Sequence, residues 1–402
     1  MTFVASRIAA EPVTNVQVTA GDAHHISAAA LTVLSMLGCY IVLKPYYLLP
    51  SGLPQIADLI LLAAVPVALF LPRLGELEDA SRFKFYMIVF CCYAALVNIG
   101  WTFVLMYPRM ALGATYYLFN LSLLIVCIRI GTLHPRATFL TIAYAIALSA
   151  ALQTASSAFS YDSARLRQIA SFNNPNQLGY WSLLSLCIFW SIAGRAKVKW
   201  FVQVPTAMCL IYLAATSLSK SSMIATAFLC LLHFARKPRL LLILLLGIAP
   251  TYLVLENSLL LERVSGRLLS IGDQQDDSLQ ARGFPRLVEY PEYIVTGAGE
   301  GALFRFDESE DSDPDIQIHE IHSTFLTILF SYGLIGAAAF AAAVWRLYRL
   351  SSHGGFLYLL PPFFYGLTHQ GLRFSFLWLL LAVIAVLGIT IVSRVPGREH
   401  DA

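Results

Sequence analysis

Apolar residues along this chain gather in long blocks; they neither alternate every second position nor mark one side of a helical wheel. Blocks of that kind belong to helices buried on every side or standing in lipid. A helix crossing the hydrocarbon layer needs about 20 mainly apolar residues. By that measure the chain holds twelve spans: 26–43, 55–71, 85–106, 111–128, 137–153, 177–193, 200–217, 221–235, 239–256, 322–345, 355–369 and 374–393. The eighth and eleventh are short, and Pro361-Pro362 should kink the eleventh. The chain thus divides into a polar tail (1–25), nine spans (26–256), one large loop (257–321), three spans (322–393) and a short tail (394–402).

Composition identifies the solvent. Of the residues 58% are hydrophobic and only 13% charged, against about 25% charged in a soluble domain. So little polar surface cannot coat globules of this size, so an all-α, polytopic membrane protein is expected. Disorder, a collagen-like chain and a disulfide scaffold are excluded. All seven cysteines fall within apolar runs, without the pair spacing of a zinc site, and read as small hydrophobic side chains packing between helices; no cofactor is expected. The first 25 residues hold no short apolar core with a cleavage site, and the first span is expected to insert the protein. A net charge of +3 gives no reason to expect nucleic acid.

Charge placement orients the spans. With the N-terminus cytoplasmic, 16 of the 27 basic residues fall inside, among them Arg73, Arg129, Arg195, Lys237 and Arg346, against 6 in outer short loops. The positive-inside rule counts short loops, so both termini are expected in the cytoplasm. The polar stretches 154–176 and 257–321 then lie outside, the second with 14 of the 24 acidic residues. No charged residue sits near the middle of a span; Asp58 lies close to an outer helix end. Ion-coupled transporters usually carry intramembrane ionisable groups, which argues against that class.

Chemistry is therefore expected on the outer face. Arg165-Leu-Arg167 precedes Phe172-Asn173-Asn174-Pro175-Asn176, which opens the sixth span. Asn174 or Asn176 can cap that helix and Pro suits its first turn. With two arginines beside it, the same helix start is also an anion site suited to phosphate. Ser217-Leu-Ser219-Lys220-Ser221-Ser222 is either a polar turn with a snorkelling lysine or a further cation with hydroxyl donors. The large loop brings Arg282-Gly-Phe-Pro-Arg286 and then Gly297-Ala-Gly299-Glu-Gly301, whose glycines allow tight turns but which no nucleotide-binding strand–helix unit surrounds. The acidic run 307–315 lacks the twelve-position calcium loop and reads as a solvated stretch. The loop closes with His319-Glu-Ile-His322-Ser323, and the tenth span carries Gly333-Leu-Ile-Gly336, which permits close helix packing. His322, at a helix start facing two cationic loops, is the candidate base. His369 and Arg373, in the outer turn between the last two spans, either complete the pocket or anchor the interface.

In these motifs the chain resembles the O-antigen ligase and polymerase superfamily, membrane glycosyltransferases of bacterial surface-polysaccharide assembly. The family's arginine, glycine, Phe and Asn-Pro-Asn correspond to Arg167, Ala170, Phe172 and Asn174-Pro175-Asn176, with alanine in the glycine's place. Its Ser-Arg pair is Ser219-Lys220, and its arginine with Pro-x-x-Gly-x-Gly fits Arg282 or Arg286 with Gly297 and Gly299. Its His-Asn and Gly-x-x-Gly are His322-Ser323 and Gly333/Gly336, so the resemblance covers roughly 160–345.

The resemblance implies a GT-C-like bundle of about twelve transmembrane helices with one large periplasmic loop, in the bacterial inner membrane. It also implies metal-independent transfer of glycan from an undecaprenyl-pyrophosphate donor to lipid A-core or to a growing polysaccharide. Arg167, with Arg165, Lys220 and Arg282 or Arg286, would stabilise the departing pyrophosphate. Asn174, Asn176, His319, His369 and Arg373 would help to bind substrate, and His322 would take the acceptor's proton. Ligation and polymerisation are equally expected. Protein glycosylation is not, because its members tend to carry a sizeable C-terminal periplasmic region and this chain ends within ten residues of its last span. The competing class is a transporter, such as a flippase for polysaccharide precursors. It would show paired halves and polar residues at mid-membrane, and the sequence displays neither.

Overall fold

The structure, a computed structural model, describes residues 26–47, 54–72, 77–159, 167–235, 264–266, 269, 283–306, 321–351 and 353–392. Their regular structure is all helical. Helices α1 (Ala28–Leu43), α2 (Ile56–Leu69), α3 (Glu78–Leu105), α4 (Ala111–Leu133), α5 (Pro135–Phe159), α6 (Pro175–Ala193), α7 (Trp200–Thr216) and α8 (Lys220–Ala235) follow one another. A short α9 (Arg286–Glu289) lies in the large loop. Then come α10 (Thr324–Leu350), α11 (His353–Phe356), α12 (Leu360–Gly366) and α13 (Ser375–Val392). Four helices, α3, α4, α5 and α10, are long and apolar enough to cross a membrane; α1, α2, α7, α8 and α13 are apolar and shorter. This is the architecture of a multi-pass membrane protein. The expected ninth span, 239–256, lies outside the described residues.

Burial separates the helices by environment. In α13 every residue from Phe376 to Leu387 is buried, and the helix packs on α4, α6 and α10. Having no polar face, it belongs at the centre. In α3, Phe83, Met87, Phe90 and Ala94 face inward, whereas Phe85, Leu96, Phe103 and Val104 are exposed, an outer surface suited to lipid. Charges mark the two ends. At one, Arg346 pairs with Asp79 at the start of α3 (3.1 Å) and Arg129 donates to the Leu69 carbonyl (3.3 Å). At the other, Lys44 after α1 pairs with Asp58 in the first turn of α2 (2.6 Å), both buried.

Two spans depart from simple helices. The eleventh is pieced from α11, a 3-10 turn at Leu357–Leu359 and α12, whose first turn contains Pro361 and Pro362. First-turn N–H groups have no intrahelical partner, so proline costs nothing there; the chain restarts a helix at the prolines where a kink was expected.

The tenth span is broken at Gly333, at φ 60° and ψ −169°, a conformation essentially restricted to glycine. The backbone groups freed by the break find partners in a strap, residues 294–301, from the large loop. Ala298 and Gly299 N–H donate to the Phe330 and Ser331 carbonyls, both at 2.9 Å. Leu334 and Ile335 N–H donate to the Ile294 and Val295 carbonyls, at 2.7 and 3.5 Å. A Cβ on Gly333 would overlap the Val295 carbonyl, and one on Gly297 (φ 90°) the Ser331 carbonyl. The indole of Trp101 (3.1 Å to the Gly297 carbonyl) and the hydroxyl of Tyr93 (2.8 Å to the Thr296 carbonyl) tie the strap to α3. The expectation of helix-on-helix packing at Gly333 is thereby corrected. Backbone in apolar surroundings must be hydrogen-bonded, and here the partner is a strap.

Candidate functional site

Three helices, α6, α8 and α10, begin on one face. Asn174 caps α6, its side chain accepting from the Asn176 N–H (2.7 Å), with Pro175 in the first turn. The Ser219 carbonyl starts α8 by accepting from the Met223 N–H (2.9 Å), and the Ser323 hydroxyl caps α10 through the Leu326 N–H (3.4 Å). Helix starts carry unpaired N–H groups and partial positive charge, so this face attracts anions before any side chain is counted.

Arg167 joins the first two. Its Nη2 donates to Asn176 Oδ1 (2.6 Å) and its Nε to the Ser217 carbonyl (3.0 Å). The neighbouring Gln168 N–H donates to the Thr216 carbonyl (3.1 Å). The turns that allow this hold Ala170 at φ 48° and Leu218 at φ 49°. Left-handed backbone is where glycine is favoured, which explains the glycine that the related pattern has at the position of Ala170. Gly179 in α6 lets the α7–α8 turn close in, since a Cβ there would stand 2.6 Å from Ser217 Oγ. The buried hydroxyls of Ser219 and Ser222 have no hydrogen-bond partner among the described residues.

The third helix is tied in through the turn 367–374. Ser221 Oγ of α8 shares a 2.6 Å hydrogen bond with Thr368 Oγ1, which lies 3.1 Å from His369 Nδ1. The His369 carbonyl accepts from the N–H and hydroxyl of Thr324 (3.1 and 3.0 Å), and the Ser323 hydroxyl donates to the Gly366 carbonyl (3.2 Å). His369 also stacks on Tyr365 (4.7 Å), which stacks on Tyr180 of α6 (4.2 Å). His322, exposed, immediately precedes Ser323. Arg286 is buried nearby: a Cβ on Gly283 would lie 3.5 Å from its Nη1 and 3.6 Å from Ile321.

The far end of the same turn meets the strap. The Glu300 carboxylate, 2% exposed, accepts from Tyr117 Oη (2.5 Å), Arg373 Nε (2.5 Å) and Gln370 Nε2 (3.5 Å). Its own N–H donates to Asn98 Oδ1 (2.7 Å). Glu300, Ile321, Thr327, Ser331, Gln370 and Arg373 line a small, open depression with room for about one water molecule.

Residues 205–341 match the family model of O-antigen ligase. The O-antigen ligase match spans about a third of the chain, from α7 through the strap into α10. It includes Lys220, Arg286, Glu300 and His322, and it stops short of Arg167 on one side and of His369 and Arg373 on the other. It implies a ligase- or polymerase-type glycosyltransferase with lipid-linked glycan substrates. No curated protein matches the chain.

Beside that match, the structure places Arg167, Asn174, Asn176, Lys220, Arg286, His322, His369 and Arg373 on one face. Asn174 is occupied as a helix cap, while Asn176 holds Arg167. Lys220 opens α8 and is half-buried. Arg165, Arg282, His319 and the acidic run 307–315 lie outside the described residues. Sequence reasoning passed over Glu300, Gln370 and Thr368 as site residues. For Glu300 one signal existed: it is the lone acid among the closely spaced glycines 297, 299 and 301.

Proposed function

We propose that this protein is an O-antigen ligase- or polymerase-type glycosyltransferase of the bacterial inner membrane, with the face just described in the periplasm and both termini in the cytoplasm. It moves glycan from undecaprenyl pyrophosphate to a hydroxyl of lipid A-core or of a growing polysaccharide. One observation supports the reading: Arg167 joins the starts of α6 and α8, and the Thr368–His369 turn links α8 to the start of α10, which His322 precedes. The family match overlaps that meeting point.

The departing group carries several negative charges. Arg167, fixed by Asn176 and Ser217, is already aimed when that charge develops, so no reorganisation is spent during reaction. Lys220 adds a cation at the start of α8. His322 takes the acceptor's proton as its oxygen attacks the anomeric carbon; the bond to the phosphate oxygen breaks and the pyrophosphate leaves with the electron pair. This single displacement inverts the anomeric centre. The cations are the protein's own, so no metal is required.

The test is reconstitution in EDTA of purified protein with a short undecaprenyl-pyrophosphate-linked repeat, with and without lipid A-core, products being sized on a gel. A ladder of lipid-linked oligomers identifies a polymerase, and glycan appearing only on lipid A-core a ligase. Donor crossing the bilayer without any transfer would replace the proposal with a transporter. His322→Ala should lower the rate by about 10²–10⁴ and Arg167→Ala by about 10²–10³; full activity in either folded variant removes the role given to that residue.

A further inference from the structure

The ion pair between α3 and α10 gives both helices a common reference for depth. Arg346 and Asp79 stand 3.1 Å apart, and each helix climbs from there by about 1.5 Å per residue. Ile335 lies eleven residues from Arg346, about 17 Å along α10, and its N–H meets the Val295 carbonyl at 3.5 Å. Tyr93 lies fourteen residues from Asp79, about 21 Å along α3, and its hydroxyl meets the Thr296 carbonyl at 2.8 Å. Two separate helices put the same stretch of the strap at nearly the same height. The hydrocarbon layer is about 30 Å thick, so that height falls inside it.

We infer that the strap is a re-entrant segment: residues 294–297 sit within the hydrocarbon layer, in the half nearer the candidate site, with Val295 against the acyl chains of the bilayer. The inference rests on the reading of the chain as a multi-pass membrane protein and on no step of the transfer reaction. Side chains and backbone agree with it. Val295 is 55% exposed, and Leu334 and Ile335, the residues its stretch pairs with, are exposed beside it. They continue the apolar surface of α3 formed by Leu96, Ile99 and Phe103. The carbonyls of 294, 295, 296 and 297 all turn inward, to Leu334, Ile335, Tyr93 and Trp101. Lipid offers no donor, so irregular backbone at this depth must find its partners in the protein.

The strap leaves the layer where its first ionisable group appears. The Glu300 N–H donates to Asn98 (2.7 Å), nineteen residues from Asp79 and about 29 Å along α3. Charged groups are costly near the bilayer centre, and the Glu300 carboxylate meets Arg373 at the edge instead. Trp101, one turn further along α3, anchors the strap at that edge through its indole, and Trp is enriched at membrane interfaces.

The experiment places benzoylphenylalanine, which inserts into nearby C–H bonds on irradiation, at one position of the full-length protein in phospholipid nanodiscs. It replaces Val295, Leu96 or Glu289 in turn. Leu96 marks lipid. Glu289 is exposed on α9, whose Arg286 lies beside Ile321 just before α10 begins, and marks water. Transfer of a valine into apolar surroundings is favoured by a factor of about ten or more. Phospholipid adducts, read by mass spectrometry, should therefore form at Val295 about as often as at Leu96 and about tenfold more often than at Glu289. Few lipid adducts at Val295 with many at Leu96, whether the probe meets water or another part of the chain, overturns the re-entrant strap. Few at both overturns the multi-pass reading on which it rests. As a second measurement, Val295→Asp should lower the melting temperature in nanodiscs more than Val288→Asp does, although Val288 is the more exposed of the two valines; equal shifts overturn the inference.

Discussion

Replacing Gly333 by alanine should detach the strap from α10 before it unfolds the bundle. The methyl group meets two obstacles. Its backbone sits at φ 60° and ψ −169°, where a residue other than glycine costs about 1–3 kcal/mol. The new Cβ also overlaps the Val295 carbonyl, so the strap must retreat. Retreat breaks the bonds at 2.9, 2.9 and 2.7 Å and the weaker one at 3.5 Å, each worth about 1 kcal/mol net. Together these give about 5–7 kcal/mol, a large part of the 5–15 kcal/mol that holds a typical domain. The loss falls on the strap because the helices keep their own contacts. Amide hydrogen exchange at 294–299 should accelerate by about a thousandfold or more, and transfer should fall with the displacement of Glu300. Gly100→Ala is the control: nothing stands within 4 Å of its Cβ, and helix propensity should gain about 1 kcal/mol. Unchanged protection at 294–299 in Gly333→Ala would refute the account of the broken helix.

Ala170→Gly should raise the melting temperature, since left-handed backbone (φ 48°) costs alanine about 1 kcal/mol and glycine little; a lower value would mean that the methyl group packs usefully. Asp58→Asn leaves the buried Lys44 without its anionic partner at 2.6 Å and should destabilise by about 3–5 kcal/mol, whereas Lys44→Met with Asp58→Leu should cost less, as thermal unfolding of the three variants would tell. Asn176→Ala frees one side of Arg167 and should lower the transfer rate more than it lowers stability. Transfer in reconstituted vesicles should be the same with and without EDTA.

Much of the architecture was legible because lipid imposes a coarse rule on sequence. Blocks of apolar residues became helices, and the charged pairs Arg346–Asp79 and Lys44–Asp58 fell at their ends. What the blocks concealed was continuity. Residues 322–345 and 355–369 each read as one apolar run, yet the first is interrupted at Gly333 and the second restarts at Pro361-Pro362. Hydropathy sums side chains and is blind to a backbone that stops being helical. Asn176 and His322 were visible for a different reason: they lie at helix starts, where local sequence sets both geometry and charge, and Arg167 reaches the first of these through Asn176.

Glu300 was missed because its meaning is not local. Polar, glycine-rich sequence in a long loop is ordinarily solvated, and nothing within 294–301 states that it docks on a helix about 30 residues away. The link lies in the backbone. A glycine break in a membrane helix frees carbonyl and N–H groups that lipid cannot satisfy, so some other segment must bring complementary groups without a Cβ in the way. Gly297 and Gly299, at φ 90° and 74°, meet that requirement. Once the strap is fixed by this pairing, the next side chain along it has little freedom, and Glu300 is delivered against Tyr117, Gln370 and Arg373. The same glycines that repair the break thus place the carboxylate, so a variant that loosens the strap should also free Arg373 and Tyr117 from Glu300, even with Glu300 intact.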